Sequence, residues 1–390
     1  MQIKDIVKIR IDSVAFGGEG VGRIDNFVVF VPFSASGDEL EIEVIQLKKN
    51  FVRGRKLRII KKSPFRVKPL CCYYEKCGGC CYQHLDYEYQ LKIKKKQVED
   101  AFRKIGKIAN PPVLDTIASP EVYHYRGKAQ YHTEAVPSGR RIGFLDVSGG
   151  KLIDIEQCEI MEKTINEKMH ALRENMLLKS DVDMQQTIWS DCLPEKKNEK
   201  GSIIRIVKGN NFLVPSDGFF QANLSLTDKL VDEVCLFCSV NKVNTIVDAY
   251  CGSGLFSVFL SSFAENVIGI EINEKSVKYA RINTENFGVK NAEFIHGDIE
   301  DVFKERFLSQ GNRIDLIVLD PPRVGCKKTA LKAIIDLQPQ KIIYVSCNPA
   351  TQARDIKYLN EYGYDLKCLL PMDMFPQTEH IEVIGFLALK

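Results

Sequence analysis

Residues 244–254 read Asn-Thr-Ile-Val-Asp-Ala-Tyr-Cys-Gly-Ser-Gly: a short apolar run, an acid, then a loop of small residues. Apolar runs recur at 266–270, 292–295, 314–319 and 341–345, each leading through small or acidic residues into a helical pattern. Strand alternating with helix predicts a doubly wound parallel α/β sheet. In such a sheet the loop after the first strand faces the ligand crevice, and glycines there bring backbone amides close to a ligand. The third glycine of a dinucleotide fingerprint is missing, because Ser257 stands in its place. Glu271, at the end of the second strand, suits ribose hydroxyls. The loop is read as a nucleotide pocket.

Working toward the C-terminus, the tail supplies two further strands, 366–370 and 380–388, joined by a short loop. A closing antiparallel pair after five parallel strands departs from a plain dinucleotide domain and resembles the seven-stranded sheet of S-adenosylmethionine-dependent methyltransferases. Asp320-Pro321-Pro322-Arg323 ends the fourth strand, where an open sheet places ligand contacts. Amino-group methyltransferases carry a related tetrapeptide ending in an aromatic residue, so Arg323 argues against amine methylation. Ser346-Cys347-Asn348-Pro349 ends the fifth strand. A lone cysteine is commonly a small buried hydrophobe, whereas at this edge it is equally a nucleophile, since even a small thiolate fraction is reactive. The loop from Phe375 to Glu382 offers carboxylates that are either solvated or available as a general base.

Working toward the N-terminus, the texture is different. Residues 7–11, 26–31, 39–47 and 53–60 are short alternating segments, separated by Gly17, Gly18, Gly20, Gly22, Pro32 and Gly37. About five strands in some 60 residues suit an OB-like β-barrel, a fold often used on nucleic acids. An amphipathic helix is expected over 85–105, with Leu91, Val98, Phe102 and Ile105 on one stripe. Strand-rich structure follows over 113–215, and two further helices are expected near 160–178 and 222–239. The expected domains are 1–62, 63–215 and 216–390, with the 85–108 helix either within the second or packed on the third.

Of 390 residues, 45% are hydrophobic and 27% charged, which excludes a disordered, collagenous or coiled-coil chain. No apolar run reaches the length of a membrane span, and Met1–Arg10 does not read as a secretory signal, so a cytoplasmic monomer without a membrane partner is expected. The net charge of +3 hides an asymmetry, because residues 1–110 hold 22 basic and 13 acidic side chains. Lys48–Lys68 contains ten Lys/Arg in 21 positions and no acid, interleaved with Phe51, Leu57, Ile59 and Phe65. Such a stretch is either a solvated strand face or a footprint for a phosphate backbone.

Thirteen cysteines are many for a reducing compartment, and five fall between Cys71 and Cys81. Without a secretory signal, metal binding or catalysis is a better reading than disulfides. Cys71-x5-Cys77-x2-Cys80 with the later Cys158 forms a three-plus-one set of thiolates, suited to tetrahedral zinc or to an iron–sulfur cluster. The spacing is not the Cys-x3-Cys-x2-Cys of radical enzymes.

Taken together, the Cys71–His84 run, Gly143-Phe144 with Gln157-Cys158, Phe219-Phe220-Gln221-Ala222-Asn223, the Asp248–Gly254 loop, Asp320–Arg323, Ser346–Pro349 and Phe375–Glu382 resemble the RNA uracil-5-methyltransferase family. The closer resemblance is to its iron–sulfur, TRAM-domain branch acting on 23S ribosomal RNA. Seven motifs in the family's order cover nearly the whole chain. The resemblance implies that Cys71, Cys77, Cys80 and Cys158 hold a 4Fe-4S cluster. It further implies that Gln221, Tyr250, Glu271, Asp298 and Asp320 contact S-adenosyl-L-methionine, and that Arg126, Lys128 and Phe219 handle RNA. Cys347 matches the family's nucleophile and Glu382 its proton acceptor. RNA cytosine-5 methyltransferases instead place a cysteine where this chain has Pro322, which favours uracil. Related TRAM-bearing enzymes act on the T-loop of transfer RNA, the rival substrate. A non-catalytic RNA-binding assembly factor is the alternative of another class, and the intact Cys347 and Glu382 argue against it.

Overall fold

The computed structural model describes residues 1–137, 139–176, 185–190, 201–238 and 243–390. The chain forms two compact units. One comprises Met1–Gln97, Glu121–Ser190 and Phe375–His380, and the other Val98–Pro120, Asp191–Met374 and Ile381–Lys390.

The first unit begins with strands β1 (Ile6–Val14), β2 (Gly20–Ile24), β3 (Phe27–Val31), β4 (Glu39–Leu47) and β5 (Phe51–Lys61), closed into a barrel of order β1-β2-β3-β5-β4. Only β3 and β5 pair in parallel. Alternate residues Ile9, Ile11, Leu40, Ile42, Val44, Val29 and Val31 fill its core, as the period of two requires. The glycines read from sequence as turns around residue 20 lie in β2. A Cβ on Gly20 would sit 2.0 Å from the Ser34 hydroxyl, and one on Gly22 would sit 2.2 Å from the Arg10 carbonyl. They permit close strand packing instead of breaking the strand.

Helix α1 (Tyr87–Lys104) follows the cysteine-rich segment. Its Ile93 packs with Val14, Ala35, Tyr82 and Leu85, whereas Val98 and Phe102 join the main core of the second unit. The remainder of the first unit is a four-stranded sheet. It consists of β6 (Lys128–Val136), β7 (Gly139–Leu145), β8 (Leu152–Asp154) and β9 (Gln185–Trp189) in the order β8-β7-β6-β9. Helix α2 (Lys163–Met176) contributes Ile165 and Met169 to the core of this sheet, beside Tyr131 and Ile142.

In the second unit a hairpin, β10 (Ser202–Val207) and β11 (Asn210–Pro215), precedes α3 (Leu224–Cys238). The outermost residues expected in α2 and α3, 177–178 and 239, lie outside the described residues. Then come β12 (Val243–Ala249), α4 (Leu255–Leu260), β13 (Ala264–Glu271), α5 (Glu274–Asn286), β14 (Ala292–His296), α6 (Ile299–Val302) and β15 (Leu316–Leu319). The series ends with α7 (Lys328–Leu337), β16 (Lys341–Ser346), α8 (Pro349–Glu361), β17 (Tyr364–Met372) and β18 (Glu382–Leu389). The seven strands lie in the order β14-β13-β12-β15-β16-β18-β17. The first five run parallel, and β18 runs antiparallel between β16 and β17. This is the seven-stranded methyltransferase sheet expected from the strand pattern and the closing pair. Its order reverses between β12 and β15, so the crevice for ligands opens at the carboxyl ends of those strands.

Candidate active site

The loop after β12 makes the floor of that crevice. Tyr250, Gly252 and Gly254 have φ of 67°, 53° and 83°, so the chain turns back sharply into α4. Gly269 of β13 leaves room beneath the loop, since a Cβ there would meet the Phe294 ring at 2.5 Å and the Cys251 sulfur at 2.9 Å. The Glu271 carboxylate accepts the amides of Gly252 at 3.0 Å and Asn273 at 2.8 Å, which ties the end of β13 to the glycine loop. Asp298 caps α6 by accepting the Glu300 amide at 3.0 Å. That bond, with the Lys327 ammonium at 3.1 Å, holds its carboxyl below the usual range. Tyr250, Ile270, Glu271, Gly297, Asp298 and Ala330 line a cleft of about 70 Å³.

Beneath this floor, Asp248 is fully buried. One of its oxygens accepts the Ser257 hydroxyl at 2.5 Å, and the other has no partner among the described residues. Burial pushes the Asp248 carboxyl up to about 7, and burial together with Asp248 does the same to Asp320.

Cys347 follows β16, and Glu382 opens β18. Burial raises the Cys347 thiol to about 11, with Glu382 adding to the rise, while the Arg323 guanidinium lowers it by hydrogen bond and charge. Glu382 is 4% exposed, and burial and Asp320 drive its carboxyl well above the ordinary range against the pull of Arg323. Four side chains from three strand ends therefore lie close together, with Arg323 as the cation acting on the Cys347 thiol and the Glu382 carboxyl, and Asp320 as the acid acting on both. The sequence reading noted Arg323 only as a departure from an amine-specific motif. Its place directly after Asp320-Pro321-Pro322 is the signal that could have identified it.

Other expected residues are distributed more widely. Gln221 is buried just ahead of α3, and Phe219, two residues earlier, is 72% exposed. Arg126 and Lys128 belong to the first unit, where the Arg126 guanidinium lies over the Phe375 ring and the Lys128 ammonium over the Trp189 ring at 4.2 Å.

Also in the first unit, Cys71, Cys77, Cys80 and Cys158 line one cavity of about 290 Å³, together with Tyr73 and Gln83. Gln83 accepts the Cys71 amide at 3.0 Å. Asn166 accepts the Cys158 amide at 2.9 Å and donates to its carbonyl at 3.1 Å. Gly78 is required by close approach, since a Cβ would lie 2.9 Å from the Asp146 carbonyl. Among the described residues, no three His, Cys, Asp or Glu side chains close on a single ion. Cys72 is exposed and Cys81 donates to Glu379 at 3.2 Å, and neither lines the cavity.

Residues 206–390 match the tRNA (uracil-5-)-methyltransferase family model, and residues 3–57 match the TRAM domain. An uncharacterized RNA methyltransferase of Halalkalibacterium halodurans is 32% identical, with 99% of this chain and 97% of that protein aligned. The chain belongs to the RNA uracil-5-methyltransferase family. A second relative of the methyltransferase, from Clostridium acetobutylicum, is also 32% identical, with 97% and 95% of the two chains covered. The tRNA (uracil-54, C5)-methyltransferase of Pyrococcus abyssi, solved with S-adenosyl-L-homocysteine, superposes on this methyltransferase with a TM-score of 0.73 and 25% identity. That superposition covers 97% of this chain and 100% of the other. The methyltransferase uses S-adenosyl-L-methionine and acts on RNA, its barrel is a TRAM domain, and among the described residues no helix is long and apolar enough to cross a membrane.

Proposed function

We propose that the methyltransferase makes 5-methyluridine in 23S ribosomal RNA by covalent catalysis from Cys347, with Glu382 as the proton acceptor. The observation that carries the chemistry is the shared placement of Cys347, Glu382, Asp320 and Arg323 at the carboxyl edge of the sheet. Tyr250, Glu271 and Asp298 would hold the adenosine end of S-adenosyl-L-methionine, with Gln221 and Asp320 toward its methionine end.

Uracil C5 is too weak a nucleophile to accept a methyl group directly. The Cys347 thiolate adds to C6, and the electron pair of the C5–C6 double bond becomes an enolate over C5 and O4. When bound, S-adenosyl-L-methionine supplies an electrophilic methyl group to that carbon. Glu382 then takes the C5 proton, the electrons of that bond re-form the double bond, and Cys347 leaves as thiolate. Arg323 stabilises both anionic side chains, so each deprotonates more easily than burial alone permits. The uridine must leave its stack to reach the crevice, which costs little in a loop. Exposed Phe219 is suited to stacking on RNA bases, and Arg126 and Lys128 supply positive charge.

Two features support the ribosomal substrate: the resemblance to the iron–sulfur branch and the cavity ringed by four cysteines. Burial raises the thiols of Cys71, Cys77, Cys80 and Cys158 alike. Cys71, Cys77, Cys80 and Cys158 all line the cavity of about 290 Å³, and by the resemblance they would hold a 4Fe-4S cluster there. Such a cluster would brace the first unit, because methyl transfer consumes no electrons. The likeness to the Pyrococcus abyssi enzyme favours a second substrate, transfer RNA.

RNA containing 5-fluorouridine tests the chemistry, because fluorine cannot leave as a cation and the adduct is trapped. Wild-type protein should give a denaturant-resistant, cofactor-dependent adduct that Cys347→Ala abolishes; no adduct with a methylated substrate RNA would overturn the mechanism. Mass mapping of 5-methyluridine in both RNAs, from cells with and without the gene, separates the two substrates.

A further inference from the structure

Within the second unit, α7 and α8 bound an open groove of about 550 Å³ whose walls include Val324, Lys327, Lys328, Arg354, Lys357 and Tyr358. It starts one residue beyond Arg323, and Lys327 lines both the groove and the cofactor cleft. The wall nearest Arg323 is firmly built. The buried Asp355 carboxylate accepts the Cys326 amide at 2.9 Å, the Tyr344 hydroxyl at 2.7 Å and the Arg354 guanidinium at 2.8 Å. Arg354 also donates to the Val324 carbonyl at 2.9 Å. Gly325, at φ 78°, is required there, since a Cβ would lie 2.5 Å from the Asp355 carboxylate.

Charge is sorted along this groove. From Arg323 to Ile335 the chain carries four basic side chains and no acid. Of the two acids in the walls, Asp355 is engaged as above, and Glu361 ends α8, 3.7 Å from Lys357 in an exposed pair of little strength. Lys327 pairs with Asp298 and Glu300. Lys328 is exposed, its ammonium 5.5 Å from the centre of the Tyr358 ring, and among the described residues it makes no ion pair. Lys328 and Lys357 are thus the cations a ligand can use. The rest of this part of the chain repels polyanions, because residues 111–390 hold 32 basic against 38 acidic side chains. A concave wall focuses the field of its cations, so even two of them set where a polyanion lies.

We propose that the α7–α8 groove carries the phosphate backbone of the substrate RNA beside the methylated uridine, with Lys328 and Lys357 as its phosphate contacts. This rests on the crevice taking a uridine of RNA. A compact anion needs donors that converge on one point, whereas these two cations stand on separate helices along an open groove, which suits successive phosphates. Five residues, at most about 18 Å of chain, separate Arg323 from Lys328, so a strand whose uridine sits at Arg323 has phosphates within reach. Phosphate contacts hold a strand in register and read no sequence, so the groove serves binding and leaves the chemistry alone.

The test is filter binding of the full-length enzyme carrying Lys328→Gln with Lys357→Gln, across a salt series, to a 23S ribosomal RNA fragment and to a transfer RNA transcript. The log–log slope should flatten by up to about 0.7–0.9 per contact, and affinity at the lowest salt should fall by about 10-fold or more. The single-turnover methylation rate at saturating RNA and the affinity for S-adenosyl-L-homocysteine should match wild type. Lys290→Gln with Arg313→Gln removes the same charge ahead of β14 and β15, at the opposite edge of the sheet, and should change the slope by less than half as much. An equal change in both double variants would overturn the proposal, and so would an unchanged slope, which would leave the groove to an acidic peptide. Methylation of neither RNA by wild type would overturn the substrate assignment instead, and the slope, being independent of sequence, would still decide the groove.

Discussion

The side-chain amide of Asn348 donates to the backbone carbonyl of Arg323 at 3.1 Å, and the Thr351 hydroxyl reaches the same oxygen at 3.2 Å. The residue after Cys347 is thereby tied to the backbone of the loop that carries Arg323, which anchors the chain segments bearing the thiol and the guanidinium to each other. Arg323 lowers the Cys347 thiol and the Glu382 carboxyl, and the proposed mechanism uses both in their deprotonated forms. Activity should therefore rise with pH, and Arg323→Gln should move that rise to higher pH, with Arg323→Lys intermediate. Single-turnover methylation measured against pH checks this; superimposable profiles would show that the guanidinium does not tune the pair.

Glu271 holds the glycine loop through the Gly252 amide at 3.0 Å and is itself fixed by the Asn273 amide at 2.8 Å. Hydrogen bonds to a charged group contribute about 1.5–3 kcal/mol each, so Glu271→Ala should weaken cofactor binding by about 10-fold or more. Calorimetric titration with S-adenosyl-L-homocysteine measures it, and an unchanged affinity would remove Glu271 from the cofactor site.

Asp248 should oppose stability above neutral pH. Its folded carboxyl sits at about 7 against an ordinary 3.8, so the stability it confers is complete below about 4 and is lost as pH rises through 7. Asp248→Asn keeps an acceptor for Ser257 and removes the titration. At pH 8 it should stabilise the second unit by at most about 4 kcal/mol, with the gain vanishing near pH 4. Thermal melts at the two pH values decide it, and an equal gain at both would assign the effect to packing.

The basic stretch of the TRAM barrel carries less free charge than its composition implies. Arg53, Arg55, Lys56, Arg58, Lys61 and Arg66 pair with Glu19, Glu43, Glu75, Glu41, Glu39 and Asp38. Among the described residues no ion pair engages Lys48, Lys49, Lys62 or Lys68, all exposed. Replacing these four by Gln should flatten the salt dependence of RNA binding more than Arg55→Gln with Arg58→Gln. The loss is up to about 0.7–0.9 in log–log slope per phosphate contact removed. Filter binding across a salt series reads it.

Anaerobically purified protein should be brown and hold about four irons, and Cys80→Ser should lose the colour. A colourless zinc protein would refute the cluster.

Much of this was legible in the sequence because it is local. The strand ends at Ala249, Leu319 and Ser346, and the Cys347 and Glu382 positions, follow from short apolar runs that stop at small residues, acids or Pro. The β2 strand was not legible, since Gly20 and Gly22 look like turns until the Ser34 hydroxyl and the Arg10 carbonyl are placed against them. In α1, Val98 and Phe102 of the stripe read from the sequence join the core of the second unit, whereas Ile93, which lies off that stripe, packs in the first and was not legible.

By itself the sequence determined the alternating strands and helices of the seven-stranded sheet, the motifs at the strand ends and the cysteine set, all of which depend on residue type and spacing. Tertiary structure alone decided which charges face one another. It set Arg323 against Cys347 and Glu382 and paired most of the barrel's arginines with glutamates. The physical reason is that desolvation and Coulomb energy depend on distances between residues far apart in the chain, and periodicity carries no information about those distances.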